Sequence, residues 1–258
     1  MQRTISRAAP AQVDRPTTAL HWEVWLLRAI LAASATYAVV WRERGGAVAA
    51  LVALALTWLP ALVAARGGVR VARVVEALWA LAMTLPAASD ALGVYDRVTH
   101  WGKLVHGLEG GMMASLAALL LLGYADRVEF GLPRQLAALA SVCVGISAGV
   151  VWELADFLID WVGFSDLQKS NTDTMTDLLW GNLAAGAAAL LSVRLYHHAF
   201  DDGARVALGA LGAALFEPIG RLLDRHGKLS FAVMILLIAV SIAVLWFTGR
   251  PVPGLPIE

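Results

Sequence analysis

The chain has 258 residues and a formal net charge of zero; 59% of its residues are hydrophobic and only 16% are charged. A soluble domain carries about 25% charged residues, so this composition, with a mean hydropathy of +0.68, points to an all-α, polytopic transmembrane helical bundle. Zero net charge argues against nucleic acid as a partner; membrane lipid, and other membrane subunits, are the partners to expect.

Residues 1–18 are polar, with Arg3, Arg7 and Arg15 interleaved with Pro10 and Pro16. They lack an apolar stretch followed by a small-residue cleavage site, so they read as a retained cytoplasmic tail rather than a signal peptide. A membrane span needs about 20 mostly apolar residues. Seven segments qualify, at 22–41, 46–65, 71–90, 96–123, 134–161, 174–196 and 229–248. The first six make a core over 19–196. Residues 197–228 mix leucine, alanine and valine with Arg205, Glu217, Arg221, Asp224 and Arg225, and Pro218 interrupts them. That pattern reads as an amphipathic segment on the cytoplasmic membrane surface. Residues 229–258 supply the seventh span and a short outer tail.

Lysine and arginine in the loops set the orientation. With the N-terminus inside, the inner segments hold Arg3, Arg7, Arg15, Arg66, Arg70, Arg73, Arg127, Arg134, Arg194, Arg205, Arg221, Arg225 and Lys228. The outer segments hold Arg42, Arg44, Arg97, Lys169 and Arg250. The expected topology is therefore N-in, C-out.

Three polar segments interrupt this apolar chain. The first runs from Tyr95 and Asp96 through His100, Lys103 and His106 to Glu109. The second is Trp152–Asp160, with Glu153 and Asp156. The third is Asp173–Asp177. Ionisable groups in lipid cost several kcal/mol each and default to a functional reading. Under the N-in topology all three segments meet in the extracytoplasmic half of the membrane, where Asp90 joins them by position at the outer end of span three.

Helical spacing sharpens this picture. Glu153, Asp156 and Asp160 follow steps of three and four and share about 60° of arc. In the fourth span Asp96, His100 and Lys103 make a similar stripe, and His106 and Glu109 continue it, with Glu109 roughly 20 Å along the axis from Asp96. Asp173 and Asp177 are four apart, on one face. Gly107, Gly110 and Gly111 would let a neighbouring helix approach closely.

Three chemistries remain open for this constellation. As an acid–base site, His100, Glu153 and Asp177 are the candidate catalytic groups. As a metal site, His106, Glu109, Asp156 and Asp173 are the candidate ligands of a divalent ion, since histidine and carboxylates on facing helices build bundle-type centres. In either case Asp96, Lys103, Trp152 and Asp160 line a substrate pocket. The third reading is an ion-paired network that only locks helices together. The function expected is an outward-facing intramembrane site that binds or processes a lipid-linked or amphiphilic substrate. The alternatives are a structural accessory subunit of a membrane complex and a proton- or ion-coupled transporter; whether any bond is broken stays open.

Elsewhere the residues read as structural. Arg28 and Glu76 are placed to form a buried ion pair. Trp22, Trp25, Trp41, Trp58, Trp161 and Trp246 flank span ends, as interfacial aromatic belts do, whereas Trp101, Trp152 and Trp180 could wall the cavity. Cys143 sits in an apolar run and reads as packing. No phosphate-cradling glycine loop, nucleophile elbow or CxxC pair occurs in the sequence, which argues against nucleotide-driven chemistry.

The run Tyr95-Asp96…His100…Gly102, then Trp152-Glu153-x-x-Asp156…Asp160, then Asp173-Thr174-x-x-Asp177-Leu178 resembles the YjdF-type bacterial inner-membrane proteins. It is more distantly similar to the VanZ-like family, whose members are associated with glycopeptide-antibiotic resistance at the cell envelope. The resemblance covers roughly residues 25–196. The chain departs from the pattern at Asp156, where glutamate is expected, and at Gly181, where VanZ-like proteins would carry asparagine. Residues 197–258 extend beyond the usual core. What the resemblance implies is a multi-pass protein of the bacterial cytoplasmic membrane and a site at these motifs, rather than a reaction.

Overall fold

A computed structural model describes residues 21–41, 44–161 and 170–248; the expected N-terminal tail 1–18 lies outside them. Every regular element among the described residues is an α-helix: α1 (Trp22–Trp41), α2 (Arg44–Leu56), α3 (Leu59–Gly67), α4 (Arg73–Leu92), α5 (Val94–Arg97), α6 (Trp101–Arg127), α7 (Arg134–Trp161), α8 (Asn171–Ala199) and α9 (Asp202–Thr248). Six segments of the described chain are long and apolar enough to cross a membrane: Trp22–Trp41, Gly45–Gly67, Trp101–Arg127, Arg134–Leu158, Asn171–Ala199 and Asp202–Gly227.

This set differs from the expected seven in three places. The span expected at 71–90 is the helix α4, but Glu76 and Asp90 dilute its apolar content and it falls outside the set. The span expected at 46–65 is present as Gly45–Gly67 but differs in being two helices, broken at Thr57–Trp58, with Pro60 opening the second. The segment expected to lie on the surface begins instead as a packed helix. Leu208 and Leu211 of α9 are buried, and Gly209 sits so close to α6 that a Cβ there would meet the Gly123 carbonyl oxygen at 2.6 Å. The charges that suggested a surface segment explain the difference. Arg205 pairs locally with Asp202 and His197, and Glu217, Arg221, Asp224 and Arg225 all come after the packed turns. Residues Leu215–Glu258 form a separate compact unit. Within it the chain is helical to Thr248 apart from a non-helical His226 (φ −122°, ψ 23°), which makes the expected 229–248 span helical; 249–258 lie outside the described residues.

Within Met1–Ala214, α6, α7 and α8 pack on one another, α1, α2 and α4 form a second group, and α4 touches α6. Leu31, Ala35, Ala38, Ala50 and Ala87 fill the second group. Leu116, Leu119, Leu122, Val193, Tyr196 and Leu208 fill the far end of the first. The outward positions are apolar too: Val39, Leu51, Leu136, Leu139, Leu154 and Leu183 are all exposed. Such a surface would be an aggregation hazard in water and is what a bilayer requires.

Packing in lipid depends on close backbone approach rather than on expelling water, and the glycines show where. A Cβ on Gly110 of α6 would meet the Gly181 carbonyl oxygen of α8 at 2.4 Å; one on Gly145 of α7 would meet Ala185 Cβ at 2.8 Å and the Gly110 carbonyl oxygen at 3.0 Å. The three helices touch through these positions.

The opposite end of the bundle holds the pair expected from sequence. Arg28 is buried, 3.2 Å from the Glu76 carboxylate, and donates to Thr57 Oγ1 and the Thr57 carbonyl oxygen at the helix break. Its guanidinium stacks 3.6 Å from the Trp58 ring centre, and His21 meets the other Glu76 oxygen at 3.0 Å. Charge, hydrogen bonds and cation–π contact together compensate its desolvation.

Replacing Gly110 with alanine should therefore destabilise the protein by roughly 1–3 kcal/mol, the usual cost of overpacking. Gly186→Ala, where a Cβ meets nothing within 4 Å, should be neutral or raise stability by up to about 1 kcal/mol from helix propensity. Thermal unfolding of the two variants in one detergent checks both signs.

Candidate functional site

Four segments bring polar side chains to one end of the bundle: the end of α4 with α5, the first turns of α6, the last turns of α7, and the first turns of α8. The α8 start is well specified, because the Ser170 side chain caps the helix by accepting from the Asp173 backbone N–H at 3.1 Å. This leaves Asp173 in the first turn, where a negative charge is favourable. Asp177 follows one turn later and is 6% exposed.

On α6 the first polar groups of the cluster are Lys103 and His106. The stripe expected to run from Asp96 through His100 to Lys103 is interrupted. α5 ends at Arg97, Val98 is extended, and His100 takes a left-handed conformation (φ 64°) before α6 begins. His100 and Asp96 are exposed in this turn. Trp101 anchors the turn by donating from its indole to Ser89 Oγ of α4 at 2.8 Å.

His106 is the centre of the cluster. Its Nε2 lies 3.5 Å from Glu153 Oε1 of α7 and 3.7 Å from Asp177 Oδ2 of α8, and its Nδ1 lies 3.9 Å from Glu109 Oε2 on its own helix. Glu153 is 7% exposed. One ligand-type atom from each of His106, Glu153 and Asp177 fits within 4.8 Å of the other two. Glu109 lies within electrostatic reach of Glu153 and Asp156. Toward the solvent side, Lys103 donates to Asp173 Oδ1 at 3.2 Å and stands 3.7 Å from Asp177 Oδ1. That Asp177 oxygen is buried and has no hydrogen-bond partner among the described residues.

Of the ligands expected from sequence, His106 occupies the centre and Glu109 stands 3.9 Å from it, while Asp173 pairs with Lys103 and Asp156 lies within electrostatic reach of Glu109. Glu153 and Asp177, expected as acid–base groups, are the carboxylates that face His106 directly. Trp152 is half-buried beside Glu153, Trp180 is exposed, and the Asp160 side chain lies outside the described residues. The convergent trio spans three helices, so spacing along any one of them could not single it out.

Tyr95, named in the sequence as the head of the first polar segment without a role of its own, joins the site. Its ring lies against Gly102, where a Cβ would come within 3.9 Å of Tyr95 Cδ1 and 3.5 Å of Asp177 Oδ2. Burial pushes the Tyr95 phenol well above its ordinary range, and the carboxylates of Glu109, Asp156, Asp90 and Asp177 push the same way. The signal in the sequence was its place at the head of that segment, beside Asp96.

These residues fall inside a stretch that a family model recognises. The model, described as a predicted membrane protein family (DUF2238), matches residues 23–198, more than half of the chain. The chain belongs to this YjdF-like family. No curated protein and no solved structure matches it.

A raised Tyr95 pKa has a direct readout. The neutral phenol is favoured in the fold, so its contribution to stability is complete below the ordinary phenol pKa of about 10 and is lost as pH climbs above it. In an ultraviolet titration of the folded protein, Tyr95→Phe should leave the phenolate signal below about pH 11 unchanged. A signal reduced by one tyrosine near pH 10 would show that Tyr95 titrates as an ordinary phenol.

Proposed function

We propose that this family member is an intramembrane divalent-cation site, held by His106, Glu153 and Asp177, that binds the polar head of an amphiphilic or lipid-linked molecule at one membrane surface. The observation that supports this most is the trio itself: one imidazole and two carboxylates from three helices, with all three ligand atoms within 4.8 Å of one another. Nitrogen and oxygen donors of this kind suit zinc or manganese. Glu109 and Asp156 stand behind them and would orient the ligands or share a proton with them, as outer carboxylates do around metal-bound histidine. The ion would supply Lewis-acid polarisation of a bound oxygen; the protein groups position that oxygen and hold its protons.

The loop-charge rule favours the N-terminus inside, and with the 20-residue α4 crossing as well this would turn the cluster to the extracytoplasmic side of the bacterial cytoplasmic membrane. The distant VanZ-like pattern of the motifs points the same way, to the cell envelope. A pocket fits better than a through-path. Deeper in the bundle Ala114, Ala185 and Ala189 pack together with Val142, an apolar floor without ionisable side chains of its own.

The test is elemental analysis of tag-free protein purified without chelator, with Glu153→Gln and Asp177→Asn as isosteric variants and His106→Ala. The wild type should retain close to one equivalent of zinc or manganese, and each variant should lose it with about 10- to 100-fold or greater weakening. Wild-type protein that binds neither metal under equilibrium titration sinks the proposal, as does a metal content that all three variants retain.

A further inference from the structure

We propose that Lys103 is a built-in counter-cation of this site, which holds the Asp177 carboxylate where a divalent ion would and is released toward the bundle mouth when that ion binds. The inference rests on the cation reading above and adds a mechanism of competition to it.

The argument starts from Asp177. Its Oδ2 faces His106. Its Oδ1 faces the Lys103 ammonium at 3.7 Å, beyond hydrogen-bond range, and has no other partner among the described residues. A buried carboxylate oxygen left without a hydrogen bond is costly, so the ammonium supplies charge there without fully satisfying the group. The actual hydrogen bond of Lys103 goes the other way, to Asp173 Oδ1 at 3.2 Å. The lysine is thus shared between an inner carboxylate that is 9% exposed and an outer one that is 35% exposed, measured on side chains.

Three features make that sharing a competition. A lysine side chain is a point charge on a flexible four-carbon stem, able to move by a few ångströms with little cost. A divalent ion bound at His106, Glu153 and Asp177 would place like charge within a few ångströms of the ammonium in a low-dielectric setting, where repulsion is strong. Asp173, fixed in the first turn of α8 by the Ser170 cap, is a ready acceptor on the open side. The lysine thereby prevents uncompensated carboxylates in the ion-free protein, and ion binding leaves an ammonium at the mouth.

Two measurements on the full-length protein in detergent test this. In the first, manganese binding is followed by electron paramagnetic resonance while an amine-reactive ester labels lysines, with Lys169 and Lys228 as internal references. Labelling of Lys103 should rise severalfold with bound manganese in the wild type and stay flat in Asp177→Asn. Manganese that binds while Lys103 labelling stays flat or falls overturns the inference and leaves the cation site standing. No bound manganese or zinc at all overturns the cation site as well. In the second, Lys103→Met should bind manganese about tenfold more tightly, because a like charge is gone, while Lys103→Arg keeps the charge and should not. Equal or weaker binding by Lys103→Met, with Lys103→Gln as a second variant in case the first does not fold, contradicts the competition.

Discussion

Gly110 and Gly181 bring two helix backbones into contact, and the polar arrangement above them depends on that contact. With any side chain at Gly110, α6 and α8 would have to separate, since a Cβ would stand 2.4 Å from the Gly181 carbonyl oxygen. One turn before Gly110 is His106, and one turn before Gly181 is Asp177. Their 3.7 Å separation follows from the backbone approach. Gly145 does the same for α7, which places Glu153, two turns further along, within 3.5 Å of the same imidazole. Lipid gives no hydrophobic drive for helix association, so small residues determine which polar groups can meet.

The two polar regions of the bundle differ in how far their charges are compensated. Around Arg28 each donor described has an acceptor, two tryptophan rings flank the guanidinium, and Glu76 is shared with His21. That is the pattern of a lock, and it also closes the break between α2 and α3. At the other end Glu109, Glu153, Asp156, Asp173 and Asp177 outnumber Lys103 and His106, and a buried Asp177 oxygen lacks a hydrogen bond. Excess carboxylate in a low-dielectric site demands either a proton or a cation. The proposed cation site rests on the geometry at the centre, where one ligand-type atom from each of His106, Glu153 and Asp177 lies within 4.8 Å of the other two.

How much of this was legible in the sequence depended on whether one helix or several carried the information. Glu153 with Asp156, Asp173 with Asp177, and His106 with Glu109 could be read from helical spacing alone, because each pair shares a face within an unbroken helix. The stripe from Asp96 through His100 failed because a left-handed residue at His100 breaks the helix, and no periodicity announces that. That Glu153 of α7 and Asp177 of α8 both face the His106 Nε2 depends on how three helices are rotated against one another. The break at Thr57–Trp58 and the packing of Gly209 on Gly123 are likewise matters of contact between helices. By contrast, the membrane class, the helical architecture and the Arg28–Glu76 pair followed from composition and hydropathy.

The most direct measurement is anomalous diffraction from crystals of the protein soaked in manganese or zinc. The cation site predicts a single strong peak coordinated by His106 Nε2, Glu153 and Asp177 at about 2.0–2.3 Å, with the Lys103 ammonium turned toward Asp173. An anomalous map empty at this site under saturating metal, or a peak held only by exposed groups such as Asp96 and His100, would contradict it.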